Sequence, residues 1–201
     1  MGLTMRYPDL YMMRHGQTVW NAEGRMQGRM NSPLTEFGAE QARRQAWLVR
    51  EVDLPLRYAS PTGRAQETAR IVFGDKDFLS DDRLQEIDVG DFAGKLEADL
   101  RRDHPDIFTG GELDWYDRIP GGEDFVALRA RAQSFLDDLP GPALIVTHSI
   151  TLRMIRLVAM GLPLSRFGDR PVVQGALHIV SDGNHRVEHC RKKSKCRAAR
   201  P

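Results

Sequence analysis

The chain has 201 residues, 41% of them hydrophobic and 28% charged, which is the composition of a folded globular domain and not of a disordered one. Its 29 lysines and arginines stand against 28 acidic residues, and the formal charge of +1 argues against a dedicated nucleic-acid binder. No apolar run approaches the roughly 18 residues of a membrane span, MGLTMRYPDLYMM lacks the apolar core and cleavage site of a secretory signal, and two cysteines confined to the tail, Cys190 and Cys196, make no disulfide framework. A cytoplasmic, reducing setting is therefore expected.

In chain order, Leu10 to Met13 is a short apolar run that stops at Arg14-His15-Gly16, the pattern of a buried strand delivering polar residues at its carboxyl end. Thr35 to about Val52 predicts a helix, with Thr35 as N-cap and an apolar stripe of Phe37, Ala42, Ala46 and Val49. Leu56–Ala59 is a second strand, followed by Ser60-Pro61 and a helix over Gly63–Phe73. A helix near Lys95–Asp103 must end before Pro105. Another should span Glu123–Leu139, ended by Pro140-Gly141-Pro142. Ala143–Thr147, ALIVT, is the clearest strand; it stops at His148-Ser149, after which Ile150–Met160 is helical. Gly175–Ser181 and Arg186–His189 around Asp182-Gly183-Asn184 predict a terminal hairpin. Strands alternating with helices imply an α/β fold with a mostly parallel sheet covered on both faces, whose ligands bind beyond the carboxyl ends of the strands. Two of those ends carry histidines, His15 and His148.

Four fragments carry chemistry-bearing residues. Arg14-His15-Gly16 places a histidine at a strand end beside a fixed positive charge. Arg64 opens a helix, where the macrodipole disfavours a cation unless an anion shares the site. Glu86 is an acid within DRLQEI, and His148 follows four apolar residues. Two histidines, two arginines and a carboxyl group suit phosphoryl transfer without a metal, because positioned cations stabilise the charge on the transferred group. Glu86 is then the candidate proton donor to the leaving oxygen.

RHGQTVWN (Arg14–Asn21) and QGRMNSPLTEFGAEQA (Gln27–Ala42) resemble the signature of the histidine phosphatase superfamily, the phosphoglycerate-mutase-like proteins. ASPTGRAQETA (Ala59–Ala69), DRLQEIDVGDFAG (Asp82–Gly94), PGGED (Pro120–Asp124) and VTHSI (Val146–Ile150) follow in the family's order, so the resemblance covers about residues 10 to 180. It implies a three-layer α/β/α sandwich, His15 as the nucleophile that becomes a phosphohistidine, and Arg14, Arg64 and His148 as the phosphate clamp. Asn21 and Thr18 match further phosphate contacts, and Glu86 matches the proton donor that later activates water. His15 must be neutral to attack, and two arginines push its pKa in that direction. Glu86 must hold a proton, which burial and a phosphate dianion favour. The implied ligand is a small phosphate ester; no metal, cofactor, nucleic acid or membrane is implied.

Asn31 stands where many members carry Asp, Phe92-Ala93-Gly94 replaces a frequent Trp-Glu-Gly, and Asp124 replaces a common Ser; the last two bear on substrate preference. Gly38, Gly121 and Gly122 read as turn or close-packing glycines, Trp47 as core, and Trp20 as wall packing. Trp115-Tyr116 reads as either a pocket lining or a loop anchor, and His104, His178, His185 and His189 as structural or solvated. Residues 1–190 are expected to be one domain, with 191–201 a flexible basic tail. A phosphatase is the leading expectation. A cofactor-dependent mutase is the alternative within the family, and a non-catalytic binding module on the same fold is the alternative outside enzymes.

Overall fold

Alternation along β1 (Leu10–Arg14) and β4 (Ala143–Thr147) divides the molecule into layers. Leu10, Met12, Ala143 and Ile145 face one apolar cluster, while Met13, Leu144 and Val146 face another. The computed structural model describes residues 7–190. One sheet has the order β3-β2-β4-β1-β5-β6, with β2 at Leu56–Ala59, β3 at Leu79–Ser80, β5 at Leu177–Ser181 and β6 at Asn184–Glu188. The pairs β2–β3, β2–β4 and β1–β4 are parallel, and β5 and β6 add antiparallel at one edge. The sheet is thus mostly parallel, as expected.

On one face α2 (Glu36–Val49) and α3 (Gly63–Phe73) contribute Ala42, Val49, Ala65, Ala69 and Val72 to the second cluster. On the other, α5 (Phe125–Asp137) and α6 (Ser149–Ala159) contribute Leu128, Phe135, Leu152 and Ile155 to the first. Two shorter helices, α1 (Val19–Glu23) and α4 (Glu97–Asp103), lie in the connections. The helix after Thr35 ends at Val49, not Val52, and Thr35 caps it by accepting from the Gly38 amide at 3.0 Å. The hairpin turn is Asp182-Gly183, both with positive φ (51° and 73°), the two-residue turn that matches strand twist.

Two expectations are corrected. Phe37 is 50% exposed, because the buried stripe of α2 runs through Gly38, Gln41, Ala42, Gln45 and Val49. Trp47 is half-buried, with the Arg50 guanidinium 3.8 Å from its ring centre, and not core. Cys190 is disulfide-bonded. Cys196 and the tail from 191 onward lie outside the described residues. Among the described residues no helix is long and apolar enough to cross a membrane.

Gly38 holds the loop after β1 in place. A Cβ there would lie 2.0 Å from the Gln17 carbonyl oxygen, and one on Gly16 would lie 2.2 Å from the Gly38 oxygen. Alanine in a helix interior is ordinarily worth about 1 kcal/mol more than glycine. Gly38→Ala should reverse that sign and cost about 2 kcal/mol or more, because two backbones must separate. Urea denaturation checks this; an unchanged or raised midpoint would mean the contact yields freely.

Candidate active site

Three adjacent parallel strands, β2, β4 and β1, end at the same level. The ladder continues past them through the His15 amide on the Thr147 carbonyl (2.9 Å) and the Ser60 amide on the Val146 carbonyl (3.0 Å). That register brings Arg14-His15, Ser60 to Arg64, and His148 together, and the loop after β3 adds Glu86. Arg14, His15, Arg64 and Glu86 line one cavity of about 210 Å³, with Asn21 and Tyr116 also on its wall.

His15 is 3% exposed. Its Nδ1 lies 2.7 Å from the Gly16 carbonyl oxygen, which can only accept, so the network assigns the proton to Nδ1. Nε2 is left with its lone pair, and Arg64 Nε donates to it at 3.2 Å. Burial first, then the Arg64 and Arg14 charges, hold the His15 pKa well below the usual histidine value. The arginines act as the sequence suggests, but desolvation is the larger cause. The ring is a neutral imidazole whose unprotonated Nε2 faces the Arg64 guanidinium in a cationic cavity.

Arg64 is 1% exposed, and its Nη1 and Nη2 donate to the Met30 (2.6 Å) and Gly28 (2.7 Å) carbonyl oxygens. Burial lowers its pKa to about 10, which leaves it charged at neutral pH. Its backbone amide is not free for an anion: Asn31 Oδ1 accepts from it at 2.8 Å. Thr62, the N-cap of α3, makes no side-chain cap, so Asn31 supplies the cap from a separate loop and fixes Arg64 at the helix start. Arg14 Nε is buried without a protein partner, a donor available to a ligand oxygen.

His148 is fully buried, and its ring meets His15 edge-on, 5.1 Å between centroids. Its Nε2 lies 2.8 Å from Ser60 Oγ and 3.2 Å from Thr62 Oγ1, while Nδ1 has no partner. Burial, then Arg64 and His15, lower its pKa well below the usual value. Ser60 can donate to Nε2, and in that tautomer the proton sits on Nδ1, the nitrogen without a protein partner. Glu86 is gripped by the first turn of α6: Oε2 accepts from the Ile150 amide (3.2 Å), and Oε1 from the Thr151 amide (3.1 Å) and hydroxyl (3.2 Å).

Asn21 is on the cavity wall, and its Oδ1 accepts from the Thr18 amide (3.2 Å) and Gln174 Nε2 (3.3 Å), which turns its NH2 group to a ligand. Thr18 is placed differently from expectation. It is fully buried, and its hydroxyl accepts from the Asn21 amide (3.1 Å) and Gln27 Nε2 (2.9 Å) as the cap of α1. Its hydroxyl is committed to the loop, so it acts on the site through Asn21 and Gln27.

Sequence reasoning missed Gln27, whose buried Oε1 has no partner on the wall, and Gln174, which ties the His15 carbonyl (3.3 Å) to Asn21. The alternatives for Trp115-Tyr116 divide: Trp115 is 4% exposed core, and Tyr116 lines the cavity. Phe92 is 1% exposed and stacks on Phe108, and Asp124 caps α5 by accepting from the Ala127 amide (2.7 Å). Phe92 therefore serves packing and Asp124 a helix cap. Gly90 and Gly122 approach each other's loops too closely for a Cβ.

The profile of the histidine phosphatase superfamily (branch 1) matches residues 10–192. Among curated relatives, one from Enterobacter sp. (strain 638) named "Probable phosphoglycerate mutase GpmB" is 38% identical over 171 residues, 77% of this chain and 76% of that protein. Among solved structures, the alpha-ribazole phosphatase from Shigella flexneri superposes with TM-score 0.78 at 27% identity, over 92% of this chain and 96% of that one. A mycobacterial glucosyl-3-phosphoglycerate phosphatase solved with VO3 gives TM-score 0.78 at 26% identity, over 90% and 98%.

Proposed function

The chain belongs to the histidine phosphatase superfamily, and we propose that within it the protein is a metal-independent phosphomonoesterase acting on a small organic phosphate. His15 Nε2 attacks phosphorus, and the bond to the ester oxygen breaks. Glu86 protonates that oxygen as the alcohol leaves. Water then attacks the phosphohistidine with Glu86 taking its proton, and phosphate is released with His15 restored. The single observation that carries this reading is the neutral His15, its Nε2 lone pair held by Arg64 in a cavity shared with Arg14 and Glu86. Cations at developing phosphoryl charge are the main catalytic device for this chemistry, each typically worth about 10²–10³ in rate.

The names of the two solved phosphatases support hydrolysis. The curated relative's name favours a second reading, a mutase that returns the phosphoryl group to another hydroxyl. A panel of phosphomonoesters incubated with the protein in EDTA, beside a His15→Ala control, separates them. Phosphate release that survives chelation and vanishes in the control supports the phosphatase. Acid-labile, base-stable label retained on the protein until a phosphoglycerate acceptor is added supports the mutase. Neither signal would leave a phosphate-binding module and sink both enzyme readings.

A further inference from the structure

A second cavity, about 100 Å³, lies beside the C-terminal half of α6, under the segment that leads to β5. Its polar lining is Arg153, Arg156, Arg166 and Arg170 with one acid, Asp169. That acid is already paired with Arg166. Arg156 is 4% exposed, and Nη2 donates to the Arg170 carbonyl (2.8 Å) while Nη1 is buried without any partner. Arg153 repeats the pattern, with Nη1 on the same carbonyl (2.6 Å) and Nε unpartnered. On the far side Arg170 Nη1 meets His185 Nδ1 at 3.4 Å, and His185 Nε2 meets His178 Nδ1 at 3.2 Å, so that side adds no negative charge; the Glu112 and Glu86 carboxylates act on Arg153 only through space, with no ion pair to it.

Buried guanidinium groups are ordinarily paired, because an unpaired buried charge costs several kcal/mol. Here two share a single carbonyl oxygen, and burial first, then repulsion from Arg153 and Arg170, lowers the Arg156 pKa to about 10. The planar fork of arginine fits the oxygens of a phosphoryl or similar group. We propose that this cavity binds a phosphate-sized oxyanion through Arg153, Arg156 and Arg170, at a site separate from His15. The ligand is either free phosphate or the phosphoryl end of an organic molecule. The site does not depend on which reaction His15 performs.

Isothermal titration with inorganic phosphate, and separately with AMP, tests it on the wild type, Arg14→Gln and Arg156→Met. The expected result is a phosphate site that survives Arg14→Gln and is weakened about tenfold or more by Arg156→Met, the usual effect of losing a charge-assisted contact. AMP binding at that same site would identify a phosphoryl end, and its failure free anion. Arg170→Gln, at an exposed position, should weaken the same site without disturbing the core. In anion-free buffer Arg156→Met should melt no lower than the wild type, since an unpaired buried charge has gone, and phosphate should raise its melting temperature less than it raises that of the wild type, because only the His15 cavity is left to bind it. The proposal fails if every phosphate site disappears in Arg14→Gln, or if phosphate binds Arg156→Met and Arg170→Gln as it binds the wild type.

Discussion

Glu86→Gln should slow phosphoryl transfer from an alkyl phosphate by about 10²–10⁴-fold, the range for a positioned general acid, while barely changing transfer from nitrophenyl phosphate. An alkoxide cannot leave without a proton, whereas nitrophenolate can. The second half-reaction should suffer with either substrate, because it needs Glu86 to take a proton from water. Nitrophenyl phosphate should therefore give a burst of one nitrophenolate per protein, followed by slow turnover, with the phosphohistidine on His15 accumulating. The geometry supplies a rival explanation to exclude. Glu86 accepts from the Ile150 and Thr151 amides, and the amide nitrogen of a glutamine cannot accept, so the substitution also disturbs the first turn of α6. If misplacement were the whole effect, the burst rates for alkyl and nitrophenyl substrates would fall by equal factors. Rapid quench of both substrates decides between proton transfer and positioning.

The parts of this site that were legible in the sequence are those that sit directly on strand ends. ALIVT is buried at all five positions and belongs to the sheet centre, so His148 had one place to go, and Leu10–Met13 fixed His15 in the same way. Arg64 was legible as an anomaly, a cation where a helix start disfavours one. What was not legible depends on contacts between loops distant in sequence. Asn31 caps α3 from thirty-odd positions away, Gln174 reaches back to His15 and Asn21, and Thr18 turns inward to close its own helix. Periodicity carries no record of such contacts. Phe37 and Trp47 were misread for a related reason. An apolar side chain on an amphipathic helix is assigned inward by pattern, but α2 turns Gly38, Gln41, Ala42, Gln45 and Val49 inward, with Gly38 against the loop after β1, which leaves Phe37 exposed and Trp47 half-buried.

Acid should destabilise the protein steeply between pH 6.5 and about 4, and histidines, not carboxylates, should be the cause. Burial lowers the pKa of His178 to about 3 and of His185 to about 4, and holds His15 and His148 well below the usual value. Each of these bases is depressed in the folded state, so above pH 6.5 neither state binds the proton and there is no penalty. Below it the unfolded chain takes up protons that the folded chain refuses, and stability is lost as pH falls, until the folded pKa is reached. Each such histidine contributes a slope of about 1.4 kcal/mol per pH unit. His15, His148 and His178 together cost about 4 kcal/mol at pH 5.5, close to the 5–15 kcal/mol by which whole domains are stable, and half-buried His185 adds less because solvent screens it. Urea titrations from pH 7.5 to 5 in phosphate-free buffer measure the slope, and His185→Gln, at a half-buried position, should lower the proton uptake on unfolding by about one. A stability flat between pH 6.5 and 5 would contradict the buried neutral histidines. The same electrostatics separate activity from stability, since His15 stays neutral and able to attack throughout this range. Loss of turnover on acidification should therefore follow the unfolding transition, and its midpoint should move with urea, as the titration of a nucleophile would not.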